Sequence, residues 1–396
     1  MTIKLYGATW CPDCRRSKKF LTEHRVPFEW HDIETDPNGV KIVEERNNGN
    51  HTIPTIIFDD DSHLSEPSNE ELADKLGLTR KALKDYYDLV IVGGGPAGLT
   101  TAIYAARENI DTIVLEKSGL GGQAGVTERI DNYPGFPEGI GGSDLADRFI
   151  AQAKRYGVEM LQAVGVATIK DEGDHKIVET RSGERYYAHA VLIATGSSYR
   201  KLMVPGEDDL IGAGIHFCAT CDGPFYKGAK ELMVIGGGNS GLEEGLFLTQ
   251  FAERVTVVEH NQNLRGSKLL QEKVLSHKQM EVLTAHKVKE FWKNSAGKLG
   301  AVLLENRANG EVIERNPSGA FVFIGLDPNT QFLQGVVELT PNGFVAGEPG
   351  MVTTSVPGIF AAGDVRFGST KQLASAVGEG AAAALAIRAF LDTPHM

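Results

Sequence analysis

The sequence predicts an α/β fold in which one dinucleotide-binding unit is written twice and a smaller α/β unit precedes both. Three observations carry this. Glycine-rich loops at Gly93–Gly98 and Gly236–Gly241 each follow an apolar strand, and the spacing from Gly95 to Glu116 repeats from Gly238 to Glu259. Two Cys-x-x-Cys pairs, Cys11/Cys14 and Cys218/Cys221, use all 4 cysteines. The 396 residues, 41% hydrophobic, suffice for about three domains with cores of their own.

Composition excludes several function classes. A formal net charge of −12 argues against nucleic-acid or acidic-membrane binding, which needs Lys and Arg to neutralise phosphates. No run of about 18 apolar residues suggests a membrane span. The opening Met1–Tyr6 reads as a strand and lacks the basic and apolar blocks of a signal peptide, so a cytoplasmic chain is expected. In a reducing compartment paired cysteines serve catalysis more than structure.

The first unit reads as strand (Ile3–Tyr6), Cys-x-x-Cys, helix (Arg15–Leu21), strand (Phe28–Ile33) and strand (Thr55–Phe58). Cys11 then sits at a helix N-terminus, where free N–H groups and the dipole favour a thiolate. Arg15, Arg16, Lys18 and Lys19 add positive potential. Ile53-Pro54 opens a strand beside the cysteines, and its backbone can meet a bound peptide or thiol. The alternative for Cys11 and Cys14 is half a zinc site, although no partner pair at ribbon spacing follows. Thr9–Cys14 with Thr52-Ile53-Pro54-Thr55 resembles a glutaredoxin, over residues 1–78, and Asp61–Ser68 is closest to its mycoredoxin-like branch. The Gly-Gly and Asp with which glutathione-dependent members hold the glutathione amine are absent. The resemblance implies a thioredoxin fold, with Ile53 and Pro54 as substrate-binding residues. Residues 79–85 read as a short charged linker.

The second and third units are read from the repeat. Asp88–Val92 runs into Gly93–Gly98, a helix from Leu99 to Arg107, and the strand Thr112–Leu115 ending in Glu116. Glu231–Ile235, Gly236–Gly241 and Val255–Val258 ending in Glu259 repeat the order. The glycines let a pyrophosphate approach the helix N-terminus, and the glutamate can bond ribose hydroxyls. Two such sites suggest a bound flavin and an exchangeable nicotinamide. The pair Cys218/Cys221, with Asp222 behind it, lies between them and suits thiol–disulfide exchange: one sulfur attacks, the other resolves, and a carboxyl moves the proton. An aspartate there could equally cap a helix.

This arrangement resembles the low-molecular-weight thioredoxin reductase family, over residues 86–396. It rests on Gly93–Gly98, Gly121-Gly122-Gln123, Asp131–Gly135, Cys218–Asp222, Gly236–Gly241, Gly363-Asp364-Val365 and Lys371-Gln372. The resemblance implies two Rossmann-like domains: an FAD domain formed by 86–200 and 326–396, and an inserted NAD(P) domain at 201–325 bearing the dithiol. It implies FAD at Gly93, Gly95, Pro96, Ala97, Glu116, Gly122, Gln123, Asn132, Ala194-Thr195-Gly196, Gly363, Asp364, Lys371, Gln372 and Leu373. The nicotinamide cofactor falls to Gly236, Gly238, Asn239, Ser240, Gly241 and Glu259. Cys221 would face the flavin, Cys218 would exchange with the outgoing disulfide, and Asp222 would be the acid. Homodimers are the family's habit. Asn132 could also cap a turn, and Lys371 could be a phosphate-side charge.

Two departures matter. Where NADPH-using relatives usually carry a His-Arg-Arg run, this chain has Glu259-His260-Asn261, with Arg265 the only nearby arginine; NADH is expected, with NADPH possible. Ordinary members also lack an N-terminal redox domain, whereas the flavoprotein component of alkyl hydroperoxide reductase carries one. Electrons would run from NAD(P)H through FAD and Cys218/Cys221 to Cys11/Cys14. They would then leave to a protein or small-molecule disulfide such as a thioredoxin or a peroxiredoxin. The alternatives are a peroxiredoxin reductase and a slow redox-sensing flavoprotein.

Overall fold

The computed structural model describes residues 3–393 except Glu128 and Pro349, so Met1 and Thr2 of the expected first strand and the final 394–396 lie outside the described residues. The chain divides into two compact units. One comprises residues 1–129, 133–196 and 328–396, and the other 130–132 and 197–327.

The N-terminal module of the first unit is a four-stranded sheet with three helices: β1 (Ile3–Gly7), α1 (Pro12–Glu23), β2 (Phe28–Asp32), α2 (Pro37–Arg46), β3 (Thr55–Ile57), β4 (His63–Ser65) and α3 (Asn69–Lys75). The strand order is β2-β1-β3-β4, with β1 and β2 parallel and the other pairs antiparallel. Ile3, Leu5, Phe20, Leu21, Ile56 and Leu72 form its core. Pro12 opens α1, where a missing N–H costs nothing. Ser68 and Glu71 close a reciprocal capping box on α3.

A larger sheet follows, with β5 (Tyr86–Val92), α4 (Pro96–Arg107), β6 (Thr112–Leu115), the short α5 (Gly122–Gly125), α6 (Gly142–Arg155), β7 (Glu159–Leu161), β8 (Val166–Asp171), β9 (Lys176–Thr180) and β10 (Arg185–Ile193). Strands β7-β6-β5-β10 lie parallel in that order, and β9 and β8 continue antiparallel. The parallel strands are near-continuous apolar runs because helices cover them. Helix α6 turns Leu145, Ala146, Ile150 and Ala153 inward, and its ends, Asp144 first and Lys154-Arg155 last, complement the dipole.

The second unit repeats the plan. Its elements are β11 (Ser197–Tyr199), α7 (Glu207–Leu210), β12 (Ile215–His216), α8 (Ala219–Asp222), β13 (Ala229–Ile235), α9 (Asn239–Leu248), β14 (Ala252–Val258), α10 (Lys268–Ser276), β15 (Met280–Leu283), β16 (His286–Lys293), β17 (Leu299–Asn306), β18 (Val312–Arg315), β19 (Gly319–Val322) and β20 (Leu326–Pro328). The parallel sheet runs β12-β19-β13-β14-β15, and β16-β17-β18 form an antiparallel sheet.

The chain then returns to the first unit. Strand β21 (Ile359–Ala361) pairs with β10, and α11 (Leu373–Leu391) lies against α4. By length and composition α11 is apolar enough to cross a membrane. It nonetheless carries Glu379, paired with Arg366 at 2.9 Å, and Arg388, paired with Glu108 at 2.8 Å. Gly380 allows the helices to touch: a Cβ there would stand 2.4 Å from the Ala97 carbonyl oxygen, and Thr101 Oγ1 donates to the Gly380 carbonyl at 2.8 Å.

The N-terminal module is seated on the larger fold. A Cβ at Gly119 would stand 1.9 Å from the carbonyl oxygen of Glu23, so the end of α1 meets the loop after β6 backbone to backbone. Arg25 donates to Asp147 at 2.7 Å and to the Ser143 carbonyl at 3.1 Å, and Ala163 packs on the module's core. The linking segment is pinned as well: Gln162 N–H donates to the Thr79 carbonyl at 2.8 Å, and Leu83 N–H to Glu159 at 2.7 Å. Replacing Gly119 by valine should unseat the module. Trypsin should then cut at Arg80, Lys81 or Lys84 roughly tenfold faster, equivalent to about 1.4 kcal/mol of eased opening. Unchanged cleavage of a folded variant would show that this seat does not hold the module.

Candidate active site

The two glycine loops agree atom by atom. Gly93 and Gly236 take φ of +111° and +119°, a left-handed region open to glycine. A Cβ at Gly98 would lie 2.0 Å from the Gly93 carbonyl oxygen, and one at Gly241 1.9 Å from that of Gly236. Gly94 N–H donates to Glu116 at 2.7 Å, as Gly237 N–H does to Glu259 at 2.8 Å. Gly95 and Gly238 cap α4 and α9, and a Cβ at either would meet almost nothing, leaving room at the helix N-terminus for a phosphate. Pro96 and Ala97 open α4; Asn239 and Ser240 open α9.

Around the first loop, Gly122 stands against Gly95, a Cβ on it falling 3.1 Å from the Gly95 Cα, and Gln123 is exposed on α5. Ala194 closes over Gly93, and Thr195 is fixed by reciprocal bonds of 2.8 Å with Asn329, a residue that sequence reasoning missed because it lies 134 positions away. Glu116 is buried. Burial pushes its carboxyl upward from the ordinary range, while the N–H groups of Gly94 and Ser118 hold it down. Those donors use two of about four acceptor sites, leaving capacity for ribose hydroxyls.

At Gly363-Asp364, Oδ1 of Asp364 is buried without a hydrogen-bond partner, and burial pushes its carboxyl pKa upward. A buried acceptor with nothing to accept fits a hydroxylated ligand chain, and the residues present suit FAD. Glu379, also missed from sequence, holds this turn by accepting from Gly363 N–H at 2.7 Å. Lys371 is turned inward, donating to the carbonyls of Asp364 at 2.6 Å and Arg366 at 3.0 Å, so it braces the turn. Gln372 caps α11 and Leu373 begins it. Asn132 falls with the second unit, where Nδ2 is 4.0 Å from Cys221 Sγ.

In that unit Cys218 and Cys221 form a disulfide. Cys218 is the cap of α8, and its Sγ accepts from Cys221 N–H at 3.2 Å. Asp222 caps nothing with its side chain; Oδ2 is instead 3.4 Å from His216 Nδ1. Glu259 accepts from Asn261 N–H and Nδ2 as well as Gly237, and Arg265 Nε lies 3.8 Å away. A second arginine, Arg307, reaches the His260 carbonyl at 3.1 Å. Arg265 is therefore not the only arginine at this strand end, because β17 delivers the other from far along the chain.

The N-terminal pair has the same cap. Cys14 N–H donates to Cys11 Sγ at 3.2 Å, and Cys11 Sγ lies 3.8 Å from the Ile53 carbonyl, next to the cis Ile53–Pro54 bond. Both thiols are free, and Cys14 is fully buried. Burial, then the bond with Cys11, pushes the Cys14 thiol up to about 12.

Residues 87–380 match the family described as pyridine nucleotide-disulphide oxidoreductase, and residues 3–63 match glutaredoxin. A thioredoxin reductase of Bacillus subtilis is 39% identical over 77% of this chain and 95% of its own length. A bifunctional thioredoxin reductase/thioredoxin of Mycobacterium leprae is 38% identical over 78% of this chain and 67% of its own. Among solved structures, the thioredoxin reductase of Streptococcus pyogenes superposes with a TM-score of 0.73 at 38% identity, over 78% of this chain and 99% of that one.

The burial of Cys14 has a chemical consequence. In a Cys11→Ser variant, iodoacetamide should leave buried Cys14 essentially unmodified at pH 8 in the native protein while labelling it readily once the chain is unfolded in urea, read by mass spectrometry. Rapid labelling at pH 8 would contradict a sealed resolving thiol.

Proposed function

The chain belongs to the pyridine nucleotide-disulphide oxidoreductase family and carries a glutaredoxin domain at its N-terminus; on that premise we propose that it is a thioredoxin reductase-like enzyme whose electrons pass through Cys218/Cys221 to Cys11/Cys14 and out to a protein or small-molecule disulfide. The observation that carries this is the capped Cys218–Cys221 disulfide, with a carboxylate directly behind it, ahead of a complete dinucleotide loop. When bound, FAD takes a hydride from the pyridine nucleotide and yields an electron pair to a disulfide.

The chain's own residues do the rest. Gly95, Gly122 and the N-terminus of α4 would hold a pyrophosphate, Glu116 the ribose, and Asp364 Oδ1 a hydroxyl of the flavin's side chain. Gln372 and Leu373 stand where α11 begins. Cys221 would take the electron pair that the flavin supplies; Cys218 attacks the outgoing disulfide, and Asp222 moves the proton. Ile53 offers its carbonyl beside Cys11 to a bound thiol or peptide. The enzyme acts as a homodimer in a reducing, cytoplasmic setting, which its cysteine usage supports.

NADH is the proposed reductant. Glu259 is 1% exposed, and its oxygens already accept three N–H donors. What it contributes toward the nucleotide is chiefly negative charge, which opposes a 2′-phosphate. Flavin reduction should be at least roughly tenfold more efficient with NADH than NADPH, about 1.4 kcal/mol of discrimination. A tenfold preference for NADPH would overturn the assignment and turn attention to Arg265 and Arg307.

The relay has its own test, NADH-dependent reduction of oxidised thioredoxin and of a small disulfide. Cys218→Ser should retain flavin reduction while losing both activities by about a thousandfold or more, as expected when a nucleophile is removed. Cys11→Ser should lose the activity that runs through the glutaredoxin domain. If it leaves both unchanged, that domain is an adaptor and the relay is wrong.

A further inference from the structure

His216 ends β12 two residues before Cys218, and its side chain is 9% exposed. Its Nδ1 lies 3.4 Å from Asp222 Oδ2, and its Nε2 lies 2.7 Å from the Tyr226 hydroxyl. Neighbouring strand β19 contributes Phe321, whose ring packs at 5.2 Å, so the titratable groups in contact with the imidazole are Asp222 from α8 and Tyr226 from the following turn. Gly319 makes room for the phenol: a Cβ there would fall 2.5 Å from Tyr226 Cζ. Tyr226, His216 and Asp222 thus form a line that ends one residue after Cys221.

We propose that His216 is a positioning residue that holds Asp222 in place and resupplies it with a proton during disulfide exchange, with Tyr226 setting its tautomer. An ionised Asp222 only accepts, so the facing Nδ1 carries the hydrogen, and Nε2 receives the phenol's O–H. Burial, then the charge of Asp222, pushes the Tyr226 hydroxyl up to about 12, so it stays a donor.

The exchange balances as follows. Cys218 attacks the acceptor's disulfide as the thiolate, its proton released to water. A Cys218–acceptor S–S bond forms as the acceptor's own S–S bond breaks, and the leaving thiolate takes a proton from Asp222, which His216 restores from water. Cys221 then displaces the second acceptor thiolate, re-forming the Cys218–Cys221 bond and passing on its own proton. Two electrons and two protons leave the pair, and the acceptor becomes two thiols.

This rests on the assignment of Asp222 as the acid, and the test separates the two. In a Cys11→Ser/Cys14→Ser background, the reduced holoenzyme is mixed with bis(2-hydroxyethyl) disulfide, whose leaving thiolate needs a proton. A parallel reaction uses 5,5′-dithiobis(2-nitrobenzoate), whose leaving thiolate needs none. Remaining thiols are quenched and counted by mass spectrometry between pH 5.5 and 9. His216→Asn, which keeps a donor toward Asp222 but cannot titrate, should slow the first reaction about tenfold and flatten its pH profile, leaving the second within about twofold. Equal slowing of both probes, or no change in either, overturns the proposal. So does slowing of the first with its pH inflection intact. Should His216→Asn fail to fold, Tyr226→Phe replaces it as the deciding variant, with about threefold selective slowing expected and equal or no slowing overturning. If Asp222→Asn leaves the first reaction unchanged, the acid assignment itself falls; if only that variant slows it, His216 alone is excluded.

Discussion

Both nucleotide loops depend on a backbone contact that no side chain survives. The first and last glycines of each loop approach so closely that a Cβ on Gly98 or Gly241 would sit about 2 Å from a carbonyl oxygen. Holding strand end and helix start together aims the free N–H groups of α4 and α9 at one point. The glutamate of the next strand then ties the loop from the other side. The middle glycine has its own reason: a Cβ on Gly94 would strike Leu120, and one on Gly237 would strike Leu264. Three of the four glycines in each loop therefore answer two demands, met in the same way in both copies.

The two dithiols also share one device and differ in setting. In each pair the N–H of the second cysteine donates to the sulfur of the first at 3.2 Å, so the first sulfur is the one prepared to carry negative charge. Burial separates them. Cys14 is sealed, whereas Cys218 and Cys221 are partly accessible and have a carboxylate, an imidazole and a phenol behind them. One pair is tuned by exclusion of water and the other by adjacent proton carriers.

Much of this was legible in the sequence because it is local. Glycine spacing, apolar strands and Cys-x-x-Cys are written in short windows, and the loops, the helix start at Cys11, and the family follow from them. What escaped is set by long-range packing. Asn329 braces Thr195, Glu379 holds Gly363, and Arg307 arrives beside His260, each from a distant part of the chain. His216 stands beside the motif, yet nothing in its neighbours' identities foretells that β12 turns its ring between Asp222 and Tyr226. The segment 79–85, charged and short, reads as a tether; only the fold reveals the hydrogen bonds that lay it down.

The seating of the glutaredoxin module bears on how freely such modules can be exchanged. It is held at the C-terminal end of α1, while Cys11 caps the other end, 12 residues or about 18 Å away. The end that does the chemistry and the end that bears the load are therefore under separate demands. A relative grafted in its place would carry its cysteines intact yet present a different helix terminus to Gly119. Swapping carriers in this architecture calls for transplanting the last turn of the helix and the residue after it, Arg25 included, along with the redox motif.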